Sequence, residues 1–479
     1  MQQQDNFLAQ LTAVVGEKHV LISDEARLHY EEDATAQYKG RSLAVVRPAS
    51  TEEVSAVVKL AHAAQIPIVP ISGNTGLSGG AWPGSEGDQI LLSLERMNQI
   101  REIKPDARVM IAEAGVILDN LHQAADKHDL IFPLTFGARG SCMLGGNLST
   151  NAGGSNVVRY GNTRDLCLGI EVVMADGRIM NLMSALHKAN SGLNLRHLMI
   201  GAEGTLGIIT AAVMKLKPKP RAYATAMIAL PSLDDALSLL HAIQDSSGGA
   251  VEAFEYMPRN YIDRHIAIMP GAKPPFEDSY DVNILIEIGA TAARDATPGS
   301  DGQVPVVAQL EETLGAMLEQ GRVLDAVIAQ NQAQRAQMWQ RREDAGEVMT
   351  RGTPFVNTDI AVPLDKVATF ERAITPRLKT IDPDCHEVIV SHLGDGNIHH
   401  TTFVSENDPD AMKAMVEAVE DVVQELGGSF SAEHGVGISK LDTMRRRNDP
   451  VALDAMRAIK AALDPKNILN PGKVIPAAD

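Results

Sequence analysis

PISGNTGLSGG spans residues 70–80, and TFGARGSCMLGGNLSTNAGG spans residues 135–154. Glycine at this density lets backbone N–H groups approach a ligand unobstructed by Cβ and adopt positive φ, which builds anion-binding nests. Neither stretch continues into the Gly-Lys-Ser/Thr of a Walker loop, and neither spaces its glycines G-x-G-x-x-G at a strand-to-helix turn. Tight turns in a large α/β domain account for the composition equally well. The flanks carry more information. SLAVVRP (42–48) reads as a strand, TEEVSAVVKLAHAAQ (51–65) has helical spacing with Thr51 as N-cap, and IPIVPIS (66–72) is a strand running straight into the first glycine block. QILLSL (89–94), VMIAEAG (109–115), LGIEVVMADG (168–177) and GTLGIITAAVMKLKP (204–218) continue the strand character, and the block closes near Pro218–Pro220.

Beyond that point ALPSLDDALSLLHAIQ (229–244), IAVPLDKVATFERAIT (360–375) and DAMKAMVEAVEDVVQELGG (410–428) are amphipathic helices. They alternate with strands such as DVNILIEIGA (281–290) and HEVIVSHL (386–393), an α+β pattern, while 290–303 is the clearest loop. With 479 residues the chain is expected to hold two or three domains. Lys plus Arg number 43 against 61 Asp plus Glu, a net charge of -18, which disfavours nucleic acid and anionic membranes as partners. An acidic surface also repels small anions, so any anion site has to be locally positive. Cys142, Cys167 and Cys385 have neither the number of a disulfide framework nor the spacing of a metal knuckle. The opening MQQQDNFLAQL lacks signal-peptide character, and no apolar run reaches the ~20 residues of a membrane span. A cytoplasmic, non-membrane protein is the expectation.

The order of three motifs carries a resemblance. PISGNTGLSGG, then 136–177, then IGAEGTLGIIT (200–210) is similar to the flavin domain of the vanillyl-alcohol oxidase/p-cresol methylhydroxylase family, over roughly 41–217. It implies that Ser72, Gly73, Asn74, Thr75 and Gly76 wrap the FAD diphosphate. Pro133, Gly137, Ser141, Gly145, Gly146, Thr150 and Asn151 would line the rest of the cofactor, with Glu203, Gly204 and Ile208 towards the adenine. NPGKV (470–474) resembles the C-terminal return that brings Asn470 and Lys473 near the flavin. The subfamily resembled here implies a dissociable, non-covalent FAD.

SHLGDGNIHH (391–400) poses a separate question. If Asp395-Gly396 forms a two-residue hairpin turn, His392 faces His399, with Cβ atoms about 4.5–5.5 Å apart, and His400 points away. SAEHGVG (431–437), which follows the apolar strand GGSFSAE (427–433), adds Glu433 and His434. His392, His399 and Glu433 make a two-His, one-carboxylate set suited to zinc or manganese, with positions left open for substrate. On a helical wheel of 334–352, Arg342 lies amid Met338, Ala345 and Met349, with Arg341 at the edge. Such an arginine either finds an anion or snorkels or pairs within the protein.

These motifs resemble the C-terminal domain of the FAD-dependent D-2-hydroxy acid dehydrogenases. That group includes D-2-hydroxyglutarate and D-lactate dehydrogenases and the glycolate oxidase large subunit. The resemblance implies that the metal sits on His392, His399 and Glu433, that His434 acts on the substrate hydroxyl, and that Arg342 clamps the substrate carboxylate. The hydroxyglutarate enzymes hold their second carboxylate with a threonine and a lysine. Those positions fall at Gly346 and Asn357, and Thr401 stands where an asparagine is expected, so the pocket is less committed to a diacid. The expected fold is α+β: a two-subdomain FAD-binding domain of the vanillyl-alcohol oxidase/p-cresol methylhydroxylase type plus an α+β substrate (cap) domain with antiparallel sheet. The expected division is a helical lead-in (1–40), the FAD domain (41–217), the substrate and metal domain (218–466) and the return (467–479).

The expected reaction is oxidation of a D-2-hydroxy acid (2-hydroxyglutarate, lactate, malate or similar) to the 2-oxo acid, by metal-assisted deprotonation and hydride transfer to flavin N5. An electron-transfer flavoprotein or a quinone would accept the electrons, and a homodimer is compatible with the chain. Two alternatives remain open: a same-fold transferase without net redox, like alkylglycerone-phosphate synthase, and a flavin-free zinc hydrolase.

Overall fold

The computed structural model describes residues 2–352 and 354–478. The chain forms two compact units, 1–152 with 162–217 and 433–479, and 153–161 with 218–432. The boundary thus falls inside the SAEHGVG stretch, and the segment expected as a separate lead-in (1–40) belongs to the first unit.

In the first unit Ala44–Val46, Ile90–Ser93 and Ile68–Ile71 run parallel, with Val20–Leu21 antiparallel at the edge. Helix Thr51–Ala64 is the crossover between the first and last of the parallel strands, and it buries Val54, Val57, Val58 and Ala61. Its N-cap is Ser50 rather than Thr51: Ser50 Oγ accepts from the Glu53 amide at 3.2 Å. Thr51 is buried and its hydroxyl donates to Glu171 instead. Phe7, Leu11 and Val15 of helix Gln2–Val15 join this core. A second, antiparallel sheet runs in the order Ile100–Lys104, Val109–Glu113, Ile208–Lys215, Cys167–Val173, Ile179–Leu182. The C-terminal return is stitched beside Ile68, whose amide donates to Ile468 and whose carbonyl accepts from Asn470.

The second unit is built on a seven-stranded antiparallel sheet: β1 (Ala222–Leu230), β2 (Val251–Pro258), β3 (Val282–Ala290), β4 (Asp325–Ile328), β5 (Phe355–Ala361), β6 (His386–His392) and β7 (Asn397–Phe403). Their spatial order is β4-β1-β3-β2-β6-β7-β5. β3 is an interior strand, buried along its whole length and apolar almost throughout, as a strand covered on both faces must be. One face meets helices α1 (Ala236–Ser247), α3 (Pro305–Glu319), α6 (Val367–Ile381) and α7 (Pro409–Glu425), through residues such as Ile284, Ile286, Phe254, Ile389 and Ile398. The other face packs Met227, Met257, Leu285, Val388 and Val390 against α2 (Arg259–Ile268), α4 (Gln332–Glu343) and α5 (Ala345–Thr350).

Three local expectations change. The 334–352 stretch is two helices, α4 and α5, parted at Asp344, whose carboxylate meets His265 Nε2 at 2.8 Å. The stretch 427–433 is no strand: after Gly427, at φ 73°, only Ser429 makes a bridge, to Ala361. Among the described residues the three cysteines are free and buried, and no helix is long and apolar enough to cross a membrane.

Candidate active site

The histidine hairpin is built differently from a two-residue turn. His392 pairs with Asn397, and Val390 pairs with His399, so the turn comprises Leu393–Gly396. Leu393 is drawn into the core and the Gly394 amide donates to Phe254, which consumes the residues that a tighter turn would have left in the strands. The register moved by two residues, and an even shift leaves every side chain on its face. His392 and His399 are therefore diagonal neighbours on the α4/α5 side of the sheet. Their ring centroids are 5.3 Å apart at 79°, with a nitrogen of each within 4.8 Å of the other. His400 lies on the opposite face, fully buried, with Nε2 2.8 Å from Glu387.

Each of the two histidines has a carboxylate directly across the ladder. Glu255 on β2 opposes His392, and Asp359 on β5 opposes His399. His392 Nδ1 is 2.9 Å from Glu255, and His399 Nδ1 is 3.6 Å from Asp359. The Glu255 carboxylate, bonded to His392 Nδ1, holds that nitrogen as the N–H and leaves Nε2 its lone pair, the tautomer that a metal-binding imidazole requires, while Asp359 faces His399 Nδ1 at ion-pair distance. Asp359 also accepts from Asn397 Nδ2 at 2.8 Å. Burial works to raise the Glu255 carboxyl, but the adjacent His392 and Arg342 charges outweigh it and hold the group at about 2. Burial pushes Asp395, in the turn, up to about 6.

Arg342 reaches this face from the last turn of α4. Its Nε donates to Glu255 at 2.6 Å, and Nη2 rests 3.1 Å from His392 Nε2. Its partner within the protein is thus Glu255, while Nη1 donates to no described side chain or carbonyl. Arg341 is buried rather than at the edge, with Nη2 on the Lys273 carbonyl. Thr401, two residues along β7 from His399, faces Asn357 of β5. Gly346, in the first turn of α5, contributes no side chain.

The first unit gathers the glycine segments. A side chain at Gly73 would collide with the Ser141 carbonyl, so the two blocks are in contact, and Gly146 lies against Ser72. Gly76 and Gly137 face open space. Asn74 and Asn151 both adopt left-handed backbone, at φ 51° and 54°. Asn74 Nδ2 is held by the Glu32 carbonyl, and Asn151 Oδ1 accepts from the Arg164 amide. Pro133 is buried, Thr75 and Thr150 are half-buried, and Gly145 packs on Ala114. Ile208, buried, opens the strand that continues the 200–210 motif, and Gly204 packs on Pro70 at φ 75°. The Glu203 carboxylate accepts from the Val436 and Gly437 amides at 2.8 and 3.0 Å, and burial raises its pKa against those two bonds. Asn470 Nδ2 donates to the carbonyls of Gly80 and Glu203. Glu203 therefore fastens the loop that begins at Glu433 and His434, and Asn470 holds Glu203.

Whether this unit suits FAD can be judged from its unsatisfied groups. Ser72 Oγ, Asn147 Nδ2 and Asn470 Oδ1 are buried without a hydrogen-bond partner. Lys473 is buried with no carboxylate beside it, and burial lowers its pKa to about 8. Buried polar groups are otherwise almost always bonded, so a polar, anionic ligand fits this set. Asn147 was missed by sequence reasoning, although it sits inside the second glycine block. Glu255 and Asp359 were also missed. The available signal was acids inside two otherwise apolar strands, Glu252 and Glu255 in VEAFEYMP and Asp359 in FVNTDIA.

Residues 219–474 match the family of FAD linked oxidases, C-terminal domain, and residues 42–183 match the FAD binding domain family. A D-2-hydroxyglutarate dehydrogenase of Xanthomonas citri pv. viticola is 37% identical over 94% of this chain and 93% of its own. That of Stutzerimonas stutzeri is 34% identical over 98% and 99%. The mitochondrial D-2-hydroxyglutarate dehydrogenase of Arabidopsis thaliana is 34% identical over 97% of this chain and 80% of its own. In fold the chain resembles p-cresol methylhydroxylase (TM-score 0.74, 18% identity, 99% of this chain and 97% of that one). It also resembles alkyldihydroxyacetonephosphate synthase (TM-score 0.72, 19% identity, 98% and 84%).

Proposed function

The chain belongs to the FAD-linked oxidases, in the group of the D-2-hydroxyglutarate dehydrogenases, and oxidises the CH–OH of a D-2-hydroxy acid; we propose that Arg342, His392, His399, Glu433 and His434 carry that reaction. The observation that supports this most is the pair of histidines whose Nδ1 atoms both face buried carboxylates. That arrangement prepares two Nε2 lone pairs on one sheet face. A divalent ion there, zinc or manganese, would supply Lewis-acid polarisation of the substrate hydroxyl. Glu433 is the third ligand of the proposal. The Ala432 amide bonds the carbonyl of Asp359 at 3.3 Å, and Glu433 follows by a single peptide link, about 3.8 Å between Cα atoms.

FAD supplies the hydride acceptor, held by Ser72, Gly73, Asn74, Thr75 and Gly76, by the second glycine block and by Lys473. Arg342 binds the C1 carboxylate through Nη1, while Nε stays on Glu255 and holds the guanidinium plane in place. His434 takes the hydroxyl proton, a task suited to an imidazole at neutral pH. An electron-transfer flavoprotein or a quinone would reoxidise the flavin. Three unpaired, buried thiols suit a reducing compartment such as the cytoplasm.

The test is anaerobic mixing with D-2-hydroxy acids while flavin absorbance is followed. His434→Ala should keep its flavin and lose bleaching by roughly 10²–10⁴-fold; bleaching at the normal rate removes His434 from the mechanism. A chelator should abolish bleaching with FAD retained, and full activity without metal would refute the ligand set.

A further inference from the structure

The face that carries His392 and His399 continues, two residues along β7, into a patch of different chemistry. Thr401 lies there, about 6.8 Å from His399 along the strand, with Asn357 opposite on β5 and Val388 opposite on β6. Thr401 is fully buried, and its hydroxyl has no hydrogen-bond partner. Asn357 is exposed and presents a neutral amide. Phe355 and Phe403 close the row, with ring centroids 6.0 Å apart.

Charge is distributed unevenly along this row. Asp359, buried, stands next to Asn357 on the same face and directly across from His399. Arg342 is taken up by Glu255 and, in the proposed reaction, by the C1 carboxylate. Arg264 lies over the Phe403 ring at 4.2 Å, and its Nε and Nη2 donate to the carbonyls of Val348 and Arg351. None of Thr401, Asn357, Val388 or Phe355 brings a positive charge, and the row's one titratable base beyond His399, His386, is stacked on the Phe403 ring at 4.8 Å with its pKa lowered by burial.

Resting on the function proposed above, we infer that the far end of the substrate is uncharged. The substrate is a D-2-hydroxy monocarboxylate whose side chain ends in a neutral hydrogen-bonding group, read by Thr401 and Asn357. A second carboxylate at this point would shed its water beside the Asp359 carboxylate and meet only a hydroxyl and an amide. A carboxamide or hydroxyl makes the same hydrogen bonds without that cost, and it satisfies the buried Thr401 hydroxyl, which is otherwise unpaired. Thr401 and Asn357 are thus specificity-determining residues. The preference they impose runs against the diacid in the names of the similar dehydrogenases.

The experiment compares two substrates that differ only in this group: D-2-hydroxyglutarate, and the same molecule with its distal carboxylate replaced by a carboxamide. For each, kcat/KM of anaerobic flavin bleaching is measured on the FAD- and metal-loaded protein, and binding of the matching 2-oxo product is measured by calorimetry. The carboxamide should be favoured at least about tenfold in both readouts. Asn357→Lys, at an exposed position, should retain the flavin spectrum and reverse the preference by placing a cation opposite Thr401. Equal or better use of the diacid by the unaltered protein overturns the inference and leaves the oxidation itself standing. A preference that Asn357→Lys does not move removes Asn357 from the assignment. Failure of every D-2-hydroxy acid to bleach the flavin overturns the proposed function, and this inference with it.

Discussion

Glu255 is the residue on which the proposed site turns, because it answers a guanidinium and an imidazole N–H at once. Fully buried, it bonds Arg342 Nε at 2.6 Å and His392 Nδ1 at 2.9 Å. Glu255→Gln keeps the shape and removes the charge, leaving a buried guanidinium without its counter-ion. Breaking a buried pair on one side costs roughly 3–5 kcal/mol. Loss of the carboxylate behind a ligating histidine weakens metal binding about 10–100-fold. Urea denaturation and metal titration of the variant measure both effects, and a variant with unaltered midpoint and metal affinity would contradict this account. The carboxylate was illegible beforehand for a physical reason: 137 residues separate it from His392, and only strand pairing joins them. The glycine blocks were legible because their function is local, in the backbone they leave exposed.

At the scale of elements, the β6–β7 hairpin sets the spacing of the two histidines. Counting outward from Asp395-Gly396 gave the wrong partners, since it could not know that Leu393 would enter the core and Gly394 would pack on Val158. It still gave the correct face, because strand side chains alternate with period two and the shift was even. Gly396 holds the turn at φ 83°, and a Cβ there would collide with the Val362 carbonyl. Gly396→Ala should cost about 1–3 kcal/mol through backbone strain. By displacing His399 relative to His392 it should also weaken metal binding while FAD stays bound. Thermal unfolding and metal titration report the two effects separately, and an alanine variant with wild-type metal affinity would show that the turn does not set the spacing. The stretch 427–433 reads as a strand from its apolar residues but forms a loop, because only Ser429 and Ala432 make backbone bonds to β5 and no ladder follows.

The whole molecule carries a net charge of -18, so deprotonation at alkaline pH adds repulsion and should erode stability. Lys473 works in the opposite direction. Its folded pKa of about 8 lies below the ordinary 10.5, so between those values the unfolded chain binds the proton that the folded one has released. The penalty for burying its charge is complete below pH 8 and is relieved as pH rises towards 10.5, by roughly 3 kcal/mol in flavin-free protein. Lys473→Met should therefore lose stability more steeply than the parent between pH 8 and 10.5. Urea midpoints across that window decide the matter, and parallel curves would mean that Lys473 is not buried as a cation.

The carboxylates opposite His392 and His399 have one more consequence. Strand pairing alone sets Glu255 opposite His392 and Asp359 opposite His399, with no ion needed to bring them together. If the site holds the divalent ion proposed above, its departure should leave the sheet beneath it intact, and the protein should accept one divalent element after another on the bench without refolding.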